Sequence, residues 1–579
     1  MKTTLVVYTN SDDALLLWTA DAVEDGCRGF AVERKLRRGQ GAVTRSWLDN
    51  YAPPPRTSTA PGRHQSSVEW PFRRFTWTDH SVGAGDRVSY RVVPVFDVPD
   101  TKRGSRWSPF KTLGVPASAR YAAFFNRGFV ISQFMSRYLD EHYSGLTRSQ
   151  ALRRFKADAA NVEDRLRRFL SGQLRTELLE LLESTRQGNG HVYAALFELG
   201  DGELVEALAA LGPRAHVVLA NGAIETKKDP RTGKAIETSA EARKRDENKA
   251  ARRALLASGV DVDKAHRFVS PGALAHNKFL VVTDAAGRPR RAWTGSTNWT
   301  TTGLCTQLNN GLLVNDSGVA AAYFTQWQAL RAAGSLHPST LASGNDTPAD
   351  VGTGRTRASV HFTRAQRRVD LDALGAIVRG AKEGVFFLMF IPGAKGVLAD
   401  IRAVQAAKPD LLVRGVVSQL PKGRQDEKTG TTTTVRVTLV GGPNARLDGA
   451  STFDVVQPQG KTHPAAYWAA EVTRAQFLGN IGHAIIHSKV LLVDPLSDEP
   501  VVVTGSHNFS GAASGKNDEN FVVIRGDKKL AESYLVNVQS AWRHYAARLG
   551  NPHPNLGGVD YLRALLNDQR QRDAFWRLA

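Results

Sequence analysis

The chain has 579 residues, 42% hydrophobic and 23% charged, and its 76 Lys+Arg against 56 Asp+Glu give a net charge of +20. This balance excludes a disordered or fibrous polypeptide and leaves room for several cores. The cationic surplus favours a polyanionic partner, and two cysteines, Cys27 and Cys305, exclude a disulfide framework or a cysteine metal site.

Residues 1–115 read as all-β. Apolar runs at 4–8, 14–18, 29–33, 75–77 and 88–95 are separated by Gly, Pro, Asp and Asn clusters. Tyr90 to Val95, with Trp18 and Phe30 before it, resembles strands of a fibronectin type III-like sandwich. From residue 116 the pattern becomes α/β. A first unit, 116–335, has strands expected at 191–199 and 215–220 around a helix at 203–211, and a Leu-rich helical insertion at 131–187. A second unit, 356–545, repeats the order with 385–391, 397–407 and 411–417. Residues 336–355 read as a linker and 546–579 as an amphipathic helical tail docking on the core. No apolar run approaches the ~20 residues that span a bilayer, and the amino terminus has no signal-peptide pattern. The expected location is cytoplasmic, with signal-peptide-independent export left open.

One device occurs twice. His276-Asn277-Lys278 opens the run Phe279–Val282, and Gly295-Ser296-Thr297-Asn298-Trp299-Thr300 follows, running on to Asn309-Asn310. His487-Ser488-Lys489 opens Val490–Val493, and Gly505-Ser506-His507-Asn508-Phe509-Ser510 runs on to Glu519-Asn520. The trailing segments keep one offset of 210 (505 − 295 and 508 − 298). On a strand, residues two apart share a face, so each strand presents one imidazole and one ammonium to one side. Ser296/Asn298 and Ser506/Asn508 alternate in the same way. Two His, two Lys, two Ser and two Asn form a donor set for one tetrahedral anion, with an imidazole on each side of the attack line.

With Asp494 seven residues after His487, the second copy resembles the phospholipase D superfamily, and its 508–520 segment is similar to the bacterial endonucleases of that group. The resemblance implies two pseudo-symmetric β-α-β lobes after the all-β sandwich, with one site at their interface and no metal or cofactor. It also implies a phospho-histidine intermediate, with His276 as nucleophile and His487 as acid and base. Lys278, Lys489, Asn298 and Asn508 would bind phosphate oxygens, and Ser296, Ser506, Asp494 and Asn309 would support them. The first copy departs from the pattern: Thr283 stands where the aspartate should be and Asp284 comes one residue late. Glu519 stands where the first copy has Asn309, and a carboxylate there would hold whichever histidine it contacts.

The net charge and a basic segment at 227–253, including Lys244, Arg245, Lys249 and Arg252, favour a nucleic-acid backbone. An anionic phospholipid is the alternative substrate. A nucleic-acid-binding or scaffold protein with a degenerate site is the third reading. One chain supplies both copies, so a single-chain pseudo-dimer suffices for the site.

Overall fold

The computed structural model describes residues 1–578 apart from 55, 56, 58–62, 117, 129–141, 144, 225, 228, 230, 233, 265, 270–272, 394, 395, 419–423, 426–431, 434–452, 457–485, 547–552 and 554. The fold is mixed α/β. The amino-terminal region is all-β, with the main strands in two sheets. Thr3–Thr9, Ala14–Ala20 and Thr76–Asp79 form a three-stranded sheet in that order. Thr44–Trp47, Gly29–Arg38, Asp86–Val95 and Lys111–Thr112 form a four-stranded one. Trp18, Phe30, Phe72 and Tyr90 fill the core, which Leu562 and Leu566 of the carboxy-terminal helix Gly558–Arg570 also enter. Within 546–579, the helix Gly558–Arg570 therefore packs on the amino-terminal sheets.

Two larger sheets follow. Across the first, the order is Tyr121–Phe125, Asn310–Val314, Pro289–Gly295, Lys278–Thr283, Val192–Leu196, Ala215–Leu219, Asp261–Val262. Across the second it is Ala349–Val351, Arg357–Thr363, Glu519–Arg525, Val501–Gly505, Val490–Val493, Gly384–Met389, Leu412–Val417, Phe453–Val456. In each, a parallel pair joined through a helix (Gly202–Ala209 or Val397–Ala407) lies antiparallel to the His-x-Lys strand. Residues 336–355 were expected as a linker. They instead contain the helix Ser339–Gly344 and the strand Ala349–Val351, which pairs with Arg357–Thr363. A Gly/Thr/Pro-rich composition did not reveal that an edge strand could form there.

Helices Ser317–Ala333 and Lys528–Ala546 pack in the core shared by both sheets, where Phe279, Leu312, Tyr323, Val360, Leu492 and Tyr534 meet. Helices Arg165–Gln187 and Lys249–Ala257 join one further core, and Val369–Arg379 and Val397–Ala407 another. With both faces covered, the His-x-Lys strands read KFLVVT and VLLV, apolar without alternation, as sheets buried on two sides require. Part of the predicted insertion, 131–141 and 144, lies outside the described residues; within the remainder are the helices Arg148–Ala160 and Arg165–Gln187. Among the described residues no helix is long and apolar enough to cross a membrane.

Candidate active site

The glycines that open the trailing segments set the site's geometry. A Cβ on Gly295 would lie 2.3 Å from the Asn310 carbonyl, and one on Gly505 would lie 2.2 Å from that of Asn520. With only hydrogen there, the Ser296 and Ser506 amides donate to those carbonyls at 3.0 and 2.9 Å. The segments close as short helices, Thr301–Cys305 and Gly511–Gly515, capped by Thr300 Oγ1 and Ser510 Oγ.

The ends of the two sheets meet by reciprocal main-chain bonds. The His276 amide donates to the Asp518 carbonyl and the His487 amide to that of Leu308, both at 2.9 Å. The imidazoles therefore face each other, with ring centroids 6.5 Å apart. His276 Nδ1 lies 2.8 Å from Glu519 Oε2, and His487 Nδ1 lies 2.9 Å from Asn309 Oδ1. Asn309 Nδ2 donates to the Gly303 carbonyl at 2.8 Å, so its oxygen is the atom turned to His487. Both Nδ1 atoms must then carry the proton, which leaves both Nε2 atoms for chemistry.

Lys278 Nζ donates to the His276 carbonyl and Lys489 Nζ to that of His487. Their ammonium groups lie 4.8 Å from the Phe197 ring centroid and 5.1 Å from the Phe390 ring centroid. Each ammonium keeps donors for a ligand. Burial lowers His276 to about 4, against the opposing pull of Glu519. Burial, then Lys489 and Lys278, hold His487 well below its ordinary value. Burial brings Lys278 down to about 7, and burial with repulsion from Lys278 holds Lys489 well below the usual lysine range. Four cation-forming groups thus crowd one buried space. An anion placed among them would oppose every one of these shifts.

The other expected residues divide into two groups. Ser296 Oγ donates to Asn309 Oδ1 at 2.8 Å and so braces the His487 acceptor, while Ser506 Oγ accepts the Asn520 amide at 3.0 Å, next to Glu519. Asn298 Nδ2 donates to Glu198 Oε2 at 2.6 Å, while its Oδ1, like that of Asn508, is buried without a partner. Asp494 is remote from the histidines, at the far end of its strand. There it accepts the amides of Lys382, Glu383 and Gly384 at 2.7–3.1 Å. Thr283 makes no such anchor, and Asp284 caps an exposed turn and pairs with Arg288 and Arg290.

Residues 424–542 match the family model described as "Cardiolipin synthase, PLD-like domain". The chain is also 47% identical over 53 residues to a phospholipase D of Rickettsia felis, covering 9% of this chain and 24% of that protein. A 66-residue stretch is 44% identical to a phospholipase D of Rickettsia bellii, covering 11% and 28%. These matches support the phospholipase D superfamily. The chain spans about a quarter of the length of these curated relatives. Among solved structures it is similar to the phosphatidylserine synthase of Haemophilus influenzae Rd KW20 (9% identity, TM-score 0.39, 70% of this chain and 92% of that one). It is also similar to Nuc, a phospholipase D family member of Salmonella typhimurium (23% identity, TM-score 0.19, 33% and 95%).

Several contacts of this site lay outside the sequence reading. Phe197 and Phe390 pack on His276 and His487 at 4.8 and 5.0 Å between ring centroids. Asn310 Nδ2 donates to Thr504 Oγ1 at 2.8 Å and Asn520 Nδ2 to Asn277 Oδ1 at 2.7 Å, stitching the sheets together. Glu198 was also missed. Of the basic segment, Lys244 and Lys249 are exposed and Arg245 pairs with Glu237. Arg252, expected to bind substrate, is instead a buried structural residue. Its guanidinium pairs with Asp246 at 2.9 Å and donates to the carbonyls of Leu219 and Ala220. Trp299 is fully buried and offers no stacking surface. Among the described residues no group of three or more His, Cys, Asp or Glu side chains is arranged to hold a metal ion.

Proposed function

We propose that this chain is a phosphodiesterase that works through a phospho-histidine, at the seam of two pseudo-symmetric phospholipase D-like lobes, 116–335 and 356–545. The carrying observation is the pair of facing imidazoles, each with its Nδ1 held by a residue of the opposite sheet. A phosphodiester between them receives donors from Lys278 and Lys489. His276 Nε2 attacks phosphorus in line, and the P–O bond to the leaving alcohol breaks. His487, protonated at Nε2 in the anion's presence, gives its proton to that alkoxide. It then takes a proton from water, which displaces His276 from phosphorus and releases the second product.

The division of labour follows from the acceptors. A carboxylate on Nδ1–H makes His276 the better nucleophile and stabilises its charged state. A neutral amide supports an imidazolium less, so His487 gives up its proton more readily. This chemistry requires no metal from the residues named.

A nucleic-acid backbone is the favoured substrate, supported by the net charge of +20 and the exposed Lys244 and Lys249 of the basic segment. The second reading, a phospholipid-cleaving or headgroup-transferring enzyme, is supported by the stretches shared with proteins named phospholipase D. The amino-terminal strand order is consistent with a fibronectin type III-like module that recruits or spaces.

The test incubates EDTA-treated protein with plasmid, single-stranded DNA, RNA and anionic phospholipid vesicles, beside His276→Ala and His487→Ala. Cleavage of nucleic acid by wild type, lost in both variants, is expected. Cleavage of lipid alone would replace the first reading with the second. Activity that requires added metal would contradict the mechanism.

A further inference from the structure

Beyond the Glu519/Asn309 difference, the two halves of the site differ again at its mouth. Leu196 pairs with Lys278 in the first sheet, and Leu388 pairs with Val490 in the second, which sets Met389 against Lys489. Counting outward, Phe197 corresponds to Phe390 and Glu198 to Ile391. The phenylalanines play the same part, each covering one histidine and one lysine. The next position differs in kind: a carboxylate on one side, an alkyl group 40% exposed on the other.

Glu198 is half-buried; burial raises its carboxyl, and Lys278 and Lys489 are close enough to pull the other way. A carboxylate there repels the phosphate that the four cation-forming groups are arranged to hold. The two lysines already hold it there, so what it offers a substrate is acceptance of a donor, not contact with the phosphate. Glu198 accepts the Asn298 side-chain N–H at 2.6 Å, which fixes the amide, and Asn298 Oδ1 is then a buried acceptor without a partner; Asn508 Oδ1 is likewise without one, so the two sides differ by the Glu198 carboxylate. Two neighbouring acceptors, one anionic, stand beside the anion site with hydrogen-bonding capacity unfilled.

From this geometry we infer that Glu198 and Asn298 form a specificity subsite for a hydrogen-bond donor, a hydroxyl or an ammonium, carried by one of the two alcohols of the phosphodiester. Ile391 marks the opposite side, where the other alcohol presents an apolar group. The inference rests on the phosphodiesterase reading and adds an orientation to it: the two ester arms are told apart at the mouth. A sugar hydroxyl and an ethanolamine ammonium share the required chemistry.

The experiment compares kcat/KM on three chromogenic diesters. Bis(p-nitrophenyl) phosphate has no donor, thymidine 5′-(p-nitrophenyl phosphate) carries a sugar hydroxyl, and p-nitrophenyl phosphoethanolamine carries an ammonium. Each is run with wild type, Glu198→Gln, which keeps an acceptor for Asn298, and Glu198→Ile, which copies the opposite side. The expected result is a fall of at least tenfold in the ratio of donor-bearing to donor-free kcat/KM in Glu198→Ile, and a smaller fall in Glu198→Gln. The donor that loses more identifies the source. Equal loss on all three diesters would overturn the subsite and leave the phosphodiesterase reading standing. No wild-type turnover of any diester would overturn that reading and the subsite with it.

Discussion

The Glu519 carboxylate, on the second sheet, accepts the Nδ1–H of His276, which opens a strand of the first, at 2.8 Å. Asn309, at the corresponding place on the first sheet, does the same for His487 of the second at 2.9 Å. Each histidine is thus oriented by the other sheet, and neither half holds its own histidine by itself. Replacing Glu519 by Gln removes the charge and allows the wrong tautomer. We expect kcat to fall by about 10²–10⁴-fold, in line with the effect of losing a buried His-orienting carboxylate elsewhere. Circular dichroism and melting should change little.

Asn309→Asp places a charge on His487. Its imidazolium becomes a weaker acid, and the pH–rate profile should shift upward on the limb that His487 controls. A profile identical to wild type would show that Asn309 does not tune that ring.

Anion binding should take up protons. Burial holds Lys278 at about 7 in the unliganded site, against an ordinary 10.5. A bound phosphate raises it toward the ordinary value. Between pH 7 and 10 the free site is then mostly neutral at this lysine and the liganded site charged, so binding consumes protons. Titration calorimetry with vanadate or tungstate at pH 8, in two buffers of different ionisation heat, reads the number. Proton release would contradict the account.

Stability should fall as the medium becomes acidic. The folded value of His276 is lowered to about 4 by burial, from an ordinary 6.5. Below pH 6.5 the unfolded chain binds a proton that the folded chain refuses. The stability present above 6.5 is lost progressively down to 4, by about 3 kcal/mol for this one group. Urea melts at pH 7.5 and 5 should differ less in His276→Ala than in wild type.

The far end of the second His-x-Lys strand gives a contrasting prediction. Asp494 ties that strand to the Lys382–Gly384 amides, away from the imidazoles. Asp494→Ala should cost about 1–3 kcal/mol of stability, the range for leaving buried donors unsatisfied. Turnover per folded molecule should stay within a few-fold. Arg252→Ala should likewise destabilise, by about 3 kcal/mol for breaking a buried pair, without altering salt dependence. Lys244→Glu and Lys249→Glu should weaken nucleic-acid binding and flatten its salt slope.

The His-x-Lys segments were legible as a repeated pattern, although the strands themselves begin only at Lys278 and Val490, so a strand's two-residue period does not by itself place His beside Lys. Their apolar continuations, unbroken in both copies, were legible locally as well. The offset between copies identified Glu519 as the counterpart of Asn309, but not which histidine each serves. That depends on the crossing of two sheet edges at Asp518 and Leu308, a tertiary fact with no local trace. Glu198 carries no motif, and only the pairing of Leu196 with Lys278 brings it to the mouth. Arg252 was misread because composition counts charge without burial, and its partners Asp246, Leu219 and Ala220 come from separate segments.

The most direct test of the central claim is to trap the covalent intermediate. His487→Asn, given labelled bis(p-nitrophenyl) phosphate, has a leaving group that needs no proton but lacks the base that activates water. After a rapid alkaline quench and peptide mapping, the account predicts label on His276 in this variant and none in His276→Asn. Label on His487 in His276→Asn, or on neither histidine in either variant, would contradict it.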